Sequence, residues 1–485
     1  MLNDVVFVSG RFNILHSGHL RLLKFAKSLA NKLVVGVVLG DDRNPDLTPI
    51  SARLEALASC EFIDETVCLS EDVCEALTRV KPRLVVKGRE FATMVNPEQA
   101  WCERVGAQLV FSSGEWHDFI PDGTMGEFND SKVLQLDSIR KFLERAKISV
   151  NEVNDAIHGM TSLKSLVVGD VIVDEYIDCD PLGMSQEEPS LVLRPTEETF
   201  YLGGAAIVAN HLQAFGDQSS LFSVIGNDSR GIWVEDCLKQ LGVGTRLVKA
   251  LDRPTTLKTR YRVRGGVSQY SLFRVSRLSE QTIPLDVQKE ILKQVTAKCE
   301  DVDILVFSDF NYGLLPKSLV QNIIKVARQH NVMISADSQT SSQLGDVLKF
   351  TDVDLIFATE HEARTSLRNQ DDGLITIAEN LASETQCLGV FLKLGSNGAI
   401  LHRRISPGNS SPSFSTERLA ALNMKPLDVA GAGDSMMAVA SLAMAASGNM
   451  LVAFLLGSMA SAAQVGKIGN PGISAEEILT MVDLL

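Results

Sequence analysis

Two histidines stand three residues apart near the start of the chain, in the stretch SGRFNILHSGHL. His16 and His19 follow the apolar run VVFVSG and precede the helix-like RLLKFAKSLA. Ligands of an open parallel sheet bind at the carboxyl ends of its strands, where helix N-termini present N–H groups. Both imidazoles can face one bound group there, because residues three apart in a helical turn share a side. The pattern favours a polyphosphate site over the structural alternative, in which His16 caps the helix and His19 packs on the sheet.

A second pattern with chemical potential is the stretch LDVAGAGDSMMAVASLAMA. Gly431, Ala432 and Gly433 precede a long apolar helix, and Asp434 lies in its first turn. Small residues at a helix N-terminus leave backbone N–H groups open, which makes an anion hole for a transferring phosphoryl group. The aspartate can accept the proton of an attacking hydroxyl. An N-cap aspartate after a flexible loop is the structural alternative, but the position late in an α/β series favours catalysis.

Both patterns need a scaffold, and the chain contains two series of alternating strands and helices. The first includes VVFVSG, LVVGVVLG, TVCL, RLVVKG and AQLVFSS, and the second runs from LKSLVVGDVIVDEY to GVFLKLG. Apolar β-branched runs separated by helices predict parallel sheets covered on both faces. We therefore predict two α/β domains, over residues 1–130 and 161–485, joined by a helical connector at 131–160. Residues 176–200 and 255–277 predict strands of a separate small sheet.

Composition bounds the partners and the compartment. The chain has 485 residues, of which 46 are Lys or Arg and 60 are Asp or Glu, giving a net charge of −14. This balance argues against nucleic acid as a partner, because phosphate backbones require a basic face. The eight cysteines form no C-x-x-C pair, and no secretory signal precedes the first strand. Ser447, Gly448 and Asn449 divide the most apolar region into two predicted buried helices, so we expect a cytoplasmic protein without a membrane span.

The histidine motif resembles the H-x-G-H signature of the nucleotidyltransferases of the cytidylyltransferase-like superfamily. The segments PISARLEALASCEFIDETV and KPRLVVKGREF are also similar to its sugar-nucleotide-forming branch. The resemblance implies a Rossmann-like fold and attack of a substrate phosphate on the α-phosphate of a nucleoside triphosphate, with release of pyrophosphate. It assigns catalysis to His16 and His19. The nucleotide- and phosphate-binding residues that it implies are Gly10, Phe12, Asn13, Gly18, Arg53 and Lys87.

Two departures from that family leave an alternative open. The loop after the second strand, where the family commonly has a lysine, offers only Arg43. Thr124 and Ser131 are the only substitutes for the family's late Ser/Thr-rich motif. These differences favour a regulatory domain that binds a nucleotide without turning it over, whereas the intact histidine pair favours a transferase.

The second series resembles the ribokinase-like sugar kinases over nearly all of residues 161–485. The segments VVGDVIVDEY, YLGGAAIVANHLQAFG, FLKLGSNGA and the GAGD stretch carry the resemblance. It implies an α/β domain with a small β lid, ATP as a substrate, Mg²⁺ as a cofactor and Asp434 as the catalytic base. The substrate-binding residues that it implies are Asp170, Asp174, Gly203, Gly204 and Asn210. It places the nucleotide at Gly395, Gly398, Gly431, Ala432 and Gly433, and gives Glu362 an indirect role at the metal.

Within this family the segments SDFNYGLL and AAQVGKIGNPGISAEEI resemble most the heptose 7-phosphate kinase domain of ADP-heptose synthesis. That domain is often fused to a nucleotidyltransferase, in the opposite order. SADSQT replaces a D-P-K-like run, and ATEHEA keeps Glu362 but has Glu360 in place of an asparagine. We expect a bifunctional enzyme that phosphorylates heptose 7-phosphate at C1 and forms ADP-heptose from heptose 1-phosphate, with a separate phosphatase acting between the steps. The same reactions on another sugar or polyol, with a CDP product, are the further alternative, and a homodimer paired through the lid is expected.

Overall fold

The chain divides into two compact units, Met1–Gly126 and Glu127–Leu485. The computed structural model describes residues 3–12, 19, 22–23, 26–27, 30–39, 48–60, 62–69, 73–88, 96–112, 134–185, 187–188, 190–265, 268–340, 345–406 and 413–485. The predicted positions His16, Asn13 and Gly18 lie outside these residues, as do Arg43, Thr124 and Ser131.

The first unit is built on a parallel sheet. Its described strands are β1 (Asn3–Gly10), β2 (Lys32–Val38), β3 (Glu65–Leu69), β4 (Pro82–Gly88) and β5 (Gln108–Ser112), in the order β3-β2-β1-β4-β5. Its described helices with defined bounds are α1 (Ile50–Ala58), α2 (Val73–Val80) and α3 (Pro97–Val105). Successive residues of β1 point to opposite faces, so Val6 and Val8 enter one buried cluster and Val5 and Phe7 the other. Both faces are thus covered, which confirms the predicted doubly wound architecture.

The strand order reverses between β1 and β4, which are neighbours in the sheet. The chain winds outward on one side through β2 and β3 and on the other through β5. In such sheets a crevice opens at the carboxyl ends of the two central strands. Gly10 ends β1 and Gly88 ends β4, so the histidine motif and Lys87 both follow this switch point.

The large sheet of the second unit collects strand ends at one edge. Its described strands are β6 (Lys164–Gly169), β9 (Gln218–Gly226), β10 (Gly244–Ala250), β13 (Ile304–Asp309), β14 (Met333–Ser338), β15 (Leu355–Thr359), β16 (Gly389–Lys393), β17 (Ala399–Ser406) and β18 (Ser413–Leu419). Their order is β10-β9-β6-β13-β14-β15-β16-β17-β18; only the β16–β17 and β17–β18 pairs are antiparallel. The ends of β13 to β16 bring Asp309, Ser338, Thr359 and Lys393 to the same edge.

A small sheet forms separately from this series, as predicted. It consists of β7 (Val171–Met184), β8 (Leu191–Gly204), β11 (Thr256–Gly265) and β12 (Ser268–Arg277), in the order β12-β11-β7-β8. It begins at Val171, directly after β6, rather than at residue 176. The substrate residue Asp174 therefore belongs to the small sheet, while Asp170 lies in the one-residue gap between the two sheets.

The helices of the second unit cover the large sheet. The described ones are α4 (Leu136–Ala146), α5 (Val150–Met160), α6 (Ala205–Phe215), α7 (Ser229–Gln240), α8 (Leu285–Cys299), α9 (Lys317–Gln329), α10 (Glu360–Leu367), α11 (Leu374–Thr385), α12 (Ala432–Ser447), α13 (Met450–Val465) and α14 (Ala475–Asp483). Short 3₁₀ turns span Val347–Lys349 and Gly395–Asn397. α12 and α13 are the two predicted buried helices, separated by Gly448 in a left-handed conformation. No helix among the described residues is long and apolar enough to span a membrane.

The segment predicted as a connector is helical, but its helices α4 and α5 belong to the body of the second unit. Ile139 and Phe142 of α4 and Val153 and Met160 of α5 are fully buried in the same core as α12 and α13. The apolar stripes of both helices need a partner surface, and the large domain provides it. The physical boundary of that unit therefore precedes residue 134 rather than following residue 160.

Candidate functional site

At the first unit's switch point, Phe12 holds the second histidine of the motif. Phe12 has a positive φ of 46° and is buried, and its ring meets the His19 ring edge-on at a centroid distance of 5.0 Å. A Cβ on Gly10 would lie 3.0 Å from the Phe12 ring, so glycine leaves space for this packing. Gly10 and Phe12 thus form the surface at the end of β1 against which the His19 ring packs.

Arg53 is buried, and its hydrogen bonds within the described residues all go to backbone carbonyls. Its guanidinium donates to the carbonyls of Arg11, Val38, Leu39 and Thr48, at 2.7–2.9 Å. Four of its five N–H groups are thus used within the fold. The resemblance predicts Arg53 as a phosphate-binding residue; in the structure it ties together the chain segments that follow β1 and β2.

Lys87 and a buried carboxylate meet at the ends of β1 and β4. Lys87 Nζ lies 2.9 Å from Glu98 Oε1, which also accepts a hydrogen bond from Ser9 Oγ at 3.2 Å. Glu98 Oε2 is buried without a hydrogen-bond partner among the described residues. Sequence reasoning missed Glu98, because an acidic residue in the first turn of a helix is ordinary there. Its burial places it in the predicted crevice.

In the second unit, Asp434 lies buried at the N-terminus of α12. The N-cap Gly431 has a φ of 75°, and a Cβ on it would lie 2.1 Å from Asn470 Oδ1, so this position requires glycine. Asp434 Oδ1 accepts a hydrogen bond of 2.8 Å from Gln339 Nε2. Burial raises the pKa of Asp434 to about 6, although Lys393 lowers it. The predicted anion hole and base therefore share one helical turn.

Lys393 lies next to this turn at the end of β16. Its Nζ is 2.6 Å from Asp337 Oδ2, and a Cβ on Gly433 would lie 3.1 Å from the same nitrogen. Asp337 is fully buried, which raises its pKa to about 7 despite the lysine. Sequence reasoning singled out neither residue, although GVFLKLG and SADSQT were recognised as strand ends.

Four of the predicted substrate residues come together where the two sheets meet. A Cβ on Gly203 would lie 2.4 Å from Asp174 Oδ2, and one on Gly204 would lie 2.3 Å from the Asp170 carbonyl oxygen. Asp174 Oδ1 pairs with Arg260 at 2.6 Å. Burial and the nearby Asp309 raise the pKa of Asp170 to about 6. The glycine pair thus allows β8 to approach the Asp174 carboxylate and the Asp170 backbone closely.

The fifth predicted substrate residue, Asn210, has a different neighbour. It lies in the second turn of α6, and its side-chain nitrogen is 2.7 Å from the position of a Cβ on Gly472. The spacing from the Gly-Gly pair could not predict that Asn210 lies next to Gly472. Each successive residue of a helix turns its side chain by about 100° around the axis, so the direction of Asn210 depends on where α6 begins and how it packs.

The predicted nucleotide residues of the β16–β17 turn separate into two environments. Gly395 lines an open cavity of about 390 Å³ together with Thr359, Glu360, His361, Arg364, Lys393 and Leu394. A Cβ on Gly398, in contrast, would lie 2.1 Å from the Leu419 carbonyl oxygen. Gly395 therefore borders an open cavity that a ligand could enter, whereas Gly398 allows the turn to pack on β18.

Glu362 caps α10. Its Oε2 accepts a hydrogen bond of 2.7 Å from the Thr359 amide, and its Oε1 accepts one of 3.0 Å from the Thr340 amide. The described residues contain no cluster of three or more His, Cys, Asp or Glu side chains that could hold a metal ion. Both carboxylate oxygens of Glu362 are thus used by backbone N–H groups, and its indirect role at Mg²⁺ stays a prediction.

Comparisons with known proteins agree with this division. Residues 162–475 match the pfkB family carbohydrate kinase model, and residues 7–122 match the cytidylyltransferase-like model. The chain is 30% identical over 320 residues to the "Bifunctional protein HldE" of Nitratiruptor sp., covering 64% of this chain and 63% of that protein. It is 31% identical over 324 residues to the protein of the same name from Helicobacter acinonychis, covering 66% of each. These matches thus span less than two thirds of the relatives' length.

Solved structures show the fold of the second unit. Phosphofructokinase-2 from Escherichia coli in complex with substrates and products superimposes with a TM-score of 0.53 at 19% identity, covering 67% of this chain and 99% of that one. A carbohydrate kinase from Agrobacterium tumefaciens gives a TM-score of 0.50 at 21% identity, covering 67% and 98%.

Proposed function

Because the chain belongs to the pfkB family of carbohydrate kinases, we propose that its second unit transfers the γ-phosphoryl group of ATP to the C1 hydroxyl of heptose 7-phosphate. The observation that carries the proposal is the buried Asp434 in the first turn of α12, directly after the Gly431 bend. Its carboxylate would accept the hydroxyl proton as the oxygen attacks phosphorus. The helix N-terminus formed by residues 431–433 would stabilise the negative charge on the transferring group.

The sugar phosphate would bind between the small sheet and the carboxyl edge of the large sheet. Asp170 and Asp174 would offer buried carboxylates to sugar hydroxyls, and Gly203 lets β8 approach Asp174. ATP would lie over Gly395 and the neighbouring cavity, with its phosphates directed at α12. Mg²⁺ carried by the nucleotide would neutralise phosphate charge, with Glu362 acting on it through water.

After a separate phosphatase has removed the C7 phosphate, the first unit would join heptose 1-phosphate to the AMP moiety of ATP and release pyrophosphate. His16 and His19 would hold the leaving phosphates at the switch point, beside the paired Lys87 and Glu98. The name of the relatives describes a bifunctional protein, which supports two activities in one chain. One alternative is that this unit binds a nucleotide as a regulator, because the family's Ser/Thr-rich motif and loop lysine are absent from its sequence. A CDP-linked product from another sugar or polyol is the other.

One pair of assays tests both halves of the proposal. Purified protein with ATP, Mg²⁺ and D-glycero-β-D-manno-heptose 7-phosphate should release ADP, and ³¹P NMR should show a new anomeric phosphate. With heptose 1-phosphate it should release pyrophosphate from ATP and much less from CTP, and His16→Ala should abolish only this release. Kinase activity without pyrophosphate release would support the regulatory alternative. Release only with CTP would support the CDP product, and no ADP formation would contradict the kinase assignment.

The proposal includes a cytoplasmic homodimer formed through the small sheet. Met184, Leu191, Phe273 and Val275 of this sheet are exposed apolar side chains, and exposed apolar patches mark association sites. Sedimentation velocity should give twice the chain mass of 52.7 kDa, and Phe273→Asp should yield monomers. A monomeric parent protein at micromolar concentration would contradict this part.

A further inference from the structure

Lys393 forms an ion pair with Asp337, and two further acidic residues act on its charge. Its ammonium contacts Asp337 at 2.6 Å, and the carboxylates of Glu362 and Asp434 also raise its pKa, although burial opposes them. Asp337 lies at the end of β14, Glu362 lies in the first turn of α10 after β15, and Asp434 belongs to the proposed catalytic turn. One cation thus faces three acidic residues from three elements.

The same ammonium lies against the turn that is proposed to hold the phosphoryl group. A Cβ on Gly433 would come within 3.1 Å of Lys393 Nζ, and Lys393 also lines the open cavity at Gly395. Its side chain is 12% exposed and that of Asp337 is 1% exposed. Solvent therefore screens the charge of Lys393 weakly on its Asp434 side.

We propose that Lys393 is a positioning residue for phosphoryl transfer, whose ammonium holds Asp434 as a carboxylate and fixes the Gly433 turn beside it. This inference rests on the proposed kinase function and adds a residue to it. The run SADSQT, at the end of β14, contains no lysine. The amino group comes instead from β16, which is two strands away in the sheet. Gln339 of that run donates to Asp434 and contributes no charge.

Several groups raise or lower the pKa of Asp434, and Lys393 must offset those that raise it. Lys393 on β16 and Lys258 on β11 lower the pKa of Asp434, and the Gln339 hydrogen bond lowers it too. Asp174 on β7 raises it, as burial does, and the charge of Asp434 in turn raises the pKa of Asp337 on β14. Lys393 is the largest of the opposing causes, so its removal should leave Asp434 protonated near neutral pH.

A simpler structural role makes a different prediction. If Lys393 only neutralised the buried Asp337, replacing both by neutral groups would restore stability and activity together, because neutral replacements of buried ion pairs are often tolerated. If it positions Asp434, the same double variant would regain stability and remain slow.

The test compares Lys393→Met, Lys393→Arg and the double variant Asp337→Asn/Lys393→Met. Lys393→Met should lower kcat of sugar phosphorylation about 10²-fold, with a small change in KM for the sugar. Lys393→Arg should recover part of kcat, and the double variant should regain Tm but not kcat. Lys164→Met is the matched control, since Lys164 starts β6 at the opposite edge of the same sheet and pairs with exposed Asp301; it should leave kcat unchanged.

A readout that needs no sugar keeps the inference separate from the substrate assignment. ¹³C NMR of carboxyl-labelled aspartate, taken as a difference against Asp434→Asn, reports the ionisation of Asp434 directly. The pKa of Asp434 should rise by about one unit or more in Lys393→Met, since the loss of a nearby opposite charge shifts the pKa of a carboxyl by about that amount. An unchanged pKa, or a double variant that regains full kcat, would overturn the inference. If the parent protein phosphorylates no heptose phosphate but Lys393→Met still raises the pKa of Asp434, only the proposed substrate is contradicted.

Discussion

Single side chains explain how each unit could place charge next to a phosphate. In the second unit the buried Asp434 is bonded to Gln339 and lies near Lys393. In the first unit Lys87 is bonded to the buried Glu98. In both arrangements a buried carboxylate lies near a lysine, which costs less desolvation energy than an isolated buried charge.

Asp434→Asn should lower kcat of sugar phosphorylation about 10²- to 10⁴-fold, because the amide cannot accept the hydroxyl proton. Pyrophosphate release by the first unit should remain unchanged, which serves as the internal control. In the parent protein, kcat/KM should fall as pH decreases through about 6, the raised pKa of Asp434, because only the carboxylate is a base. A profile that stays flat down to pH 4.5 would contradict this role.

Arg53→Met should lower the stability of the first unit by about 2–4 kcal/mol, since buried carbonyl acceptors lose their donor. Urea denaturation followed by hydrogen-exchange mass spectrometry separates the two units and measures the change. Arg104→Met, in the exposed last turn of α3, should change stability by no more than about 0.5 kcal/mol. Weaker nucleotide binding with unaltered stability would instead support direct phosphate binding by Arg53.

At the scale of elements, the ends of β13 to β16 and the junction of the two sheets form the proposed kinase site. Parallel strands direct their carboxyl ends to one edge, and the short connection from β6 to β7 carries the small sheet over that edge. Gly203 and Gly204 allow β8 to return close to Asp174 and Asp170. The site thus depends on how two sheets approach each other.

Gly203→Ala should raise KM for the sugar phosphate about tenfold, equivalent to ~1.4 kcal/mol. The new methyl would lie 2.4 Å from Asp174 Oδ2 and must displace that carboxylate. Steady-state kinetics measures the effect. Gly373→Ala, where no atom lies within 4 Å of the new methyl, should leave KM unchanged; an equal response of the two variants would exclude the proposed contact.

At the scale of the whole molecule, the second unit includes the helices before residue 161. α4 and α5 bury Ile139, Phe142, Val153, Ile157 and Met160 in its core. Each buried side chain contributes ~1.5–3 kcal/mol, so the loss of all five would cost about as much as the whole net stability of a typical domain. The extent of this unit is therefore fixed by packing.

A chain of residues 127–485 should fold and keep the sugar kinase kcat/KM within about threefold, which is less than 1 kcal/mol. A chain of residues 161–485 should aggregate, because the surface beneath α4 and α5 becomes exposed. Size-exclusion chromatography and the kinase assay distinguish them. A soluble and active 161–485 chain would support the predicted connector instead.

The sequence alone determined the two α/β series, the small sheet and the positions of the glycine-rich turn and Asp434. These features depend on local periodicity and on turn residues, which are read along one chain. Only the tertiary structure decided the use of Arg53 for backbone carbonyls, the pairing of Lys87 with Glu98 and the position of Lys393 beside Gly433. Strand order and register bring these partners together across 11 to 56 residues of sequence. Burial then decides which charge needs which partner, because a charge removed from water must be compensated where it lies.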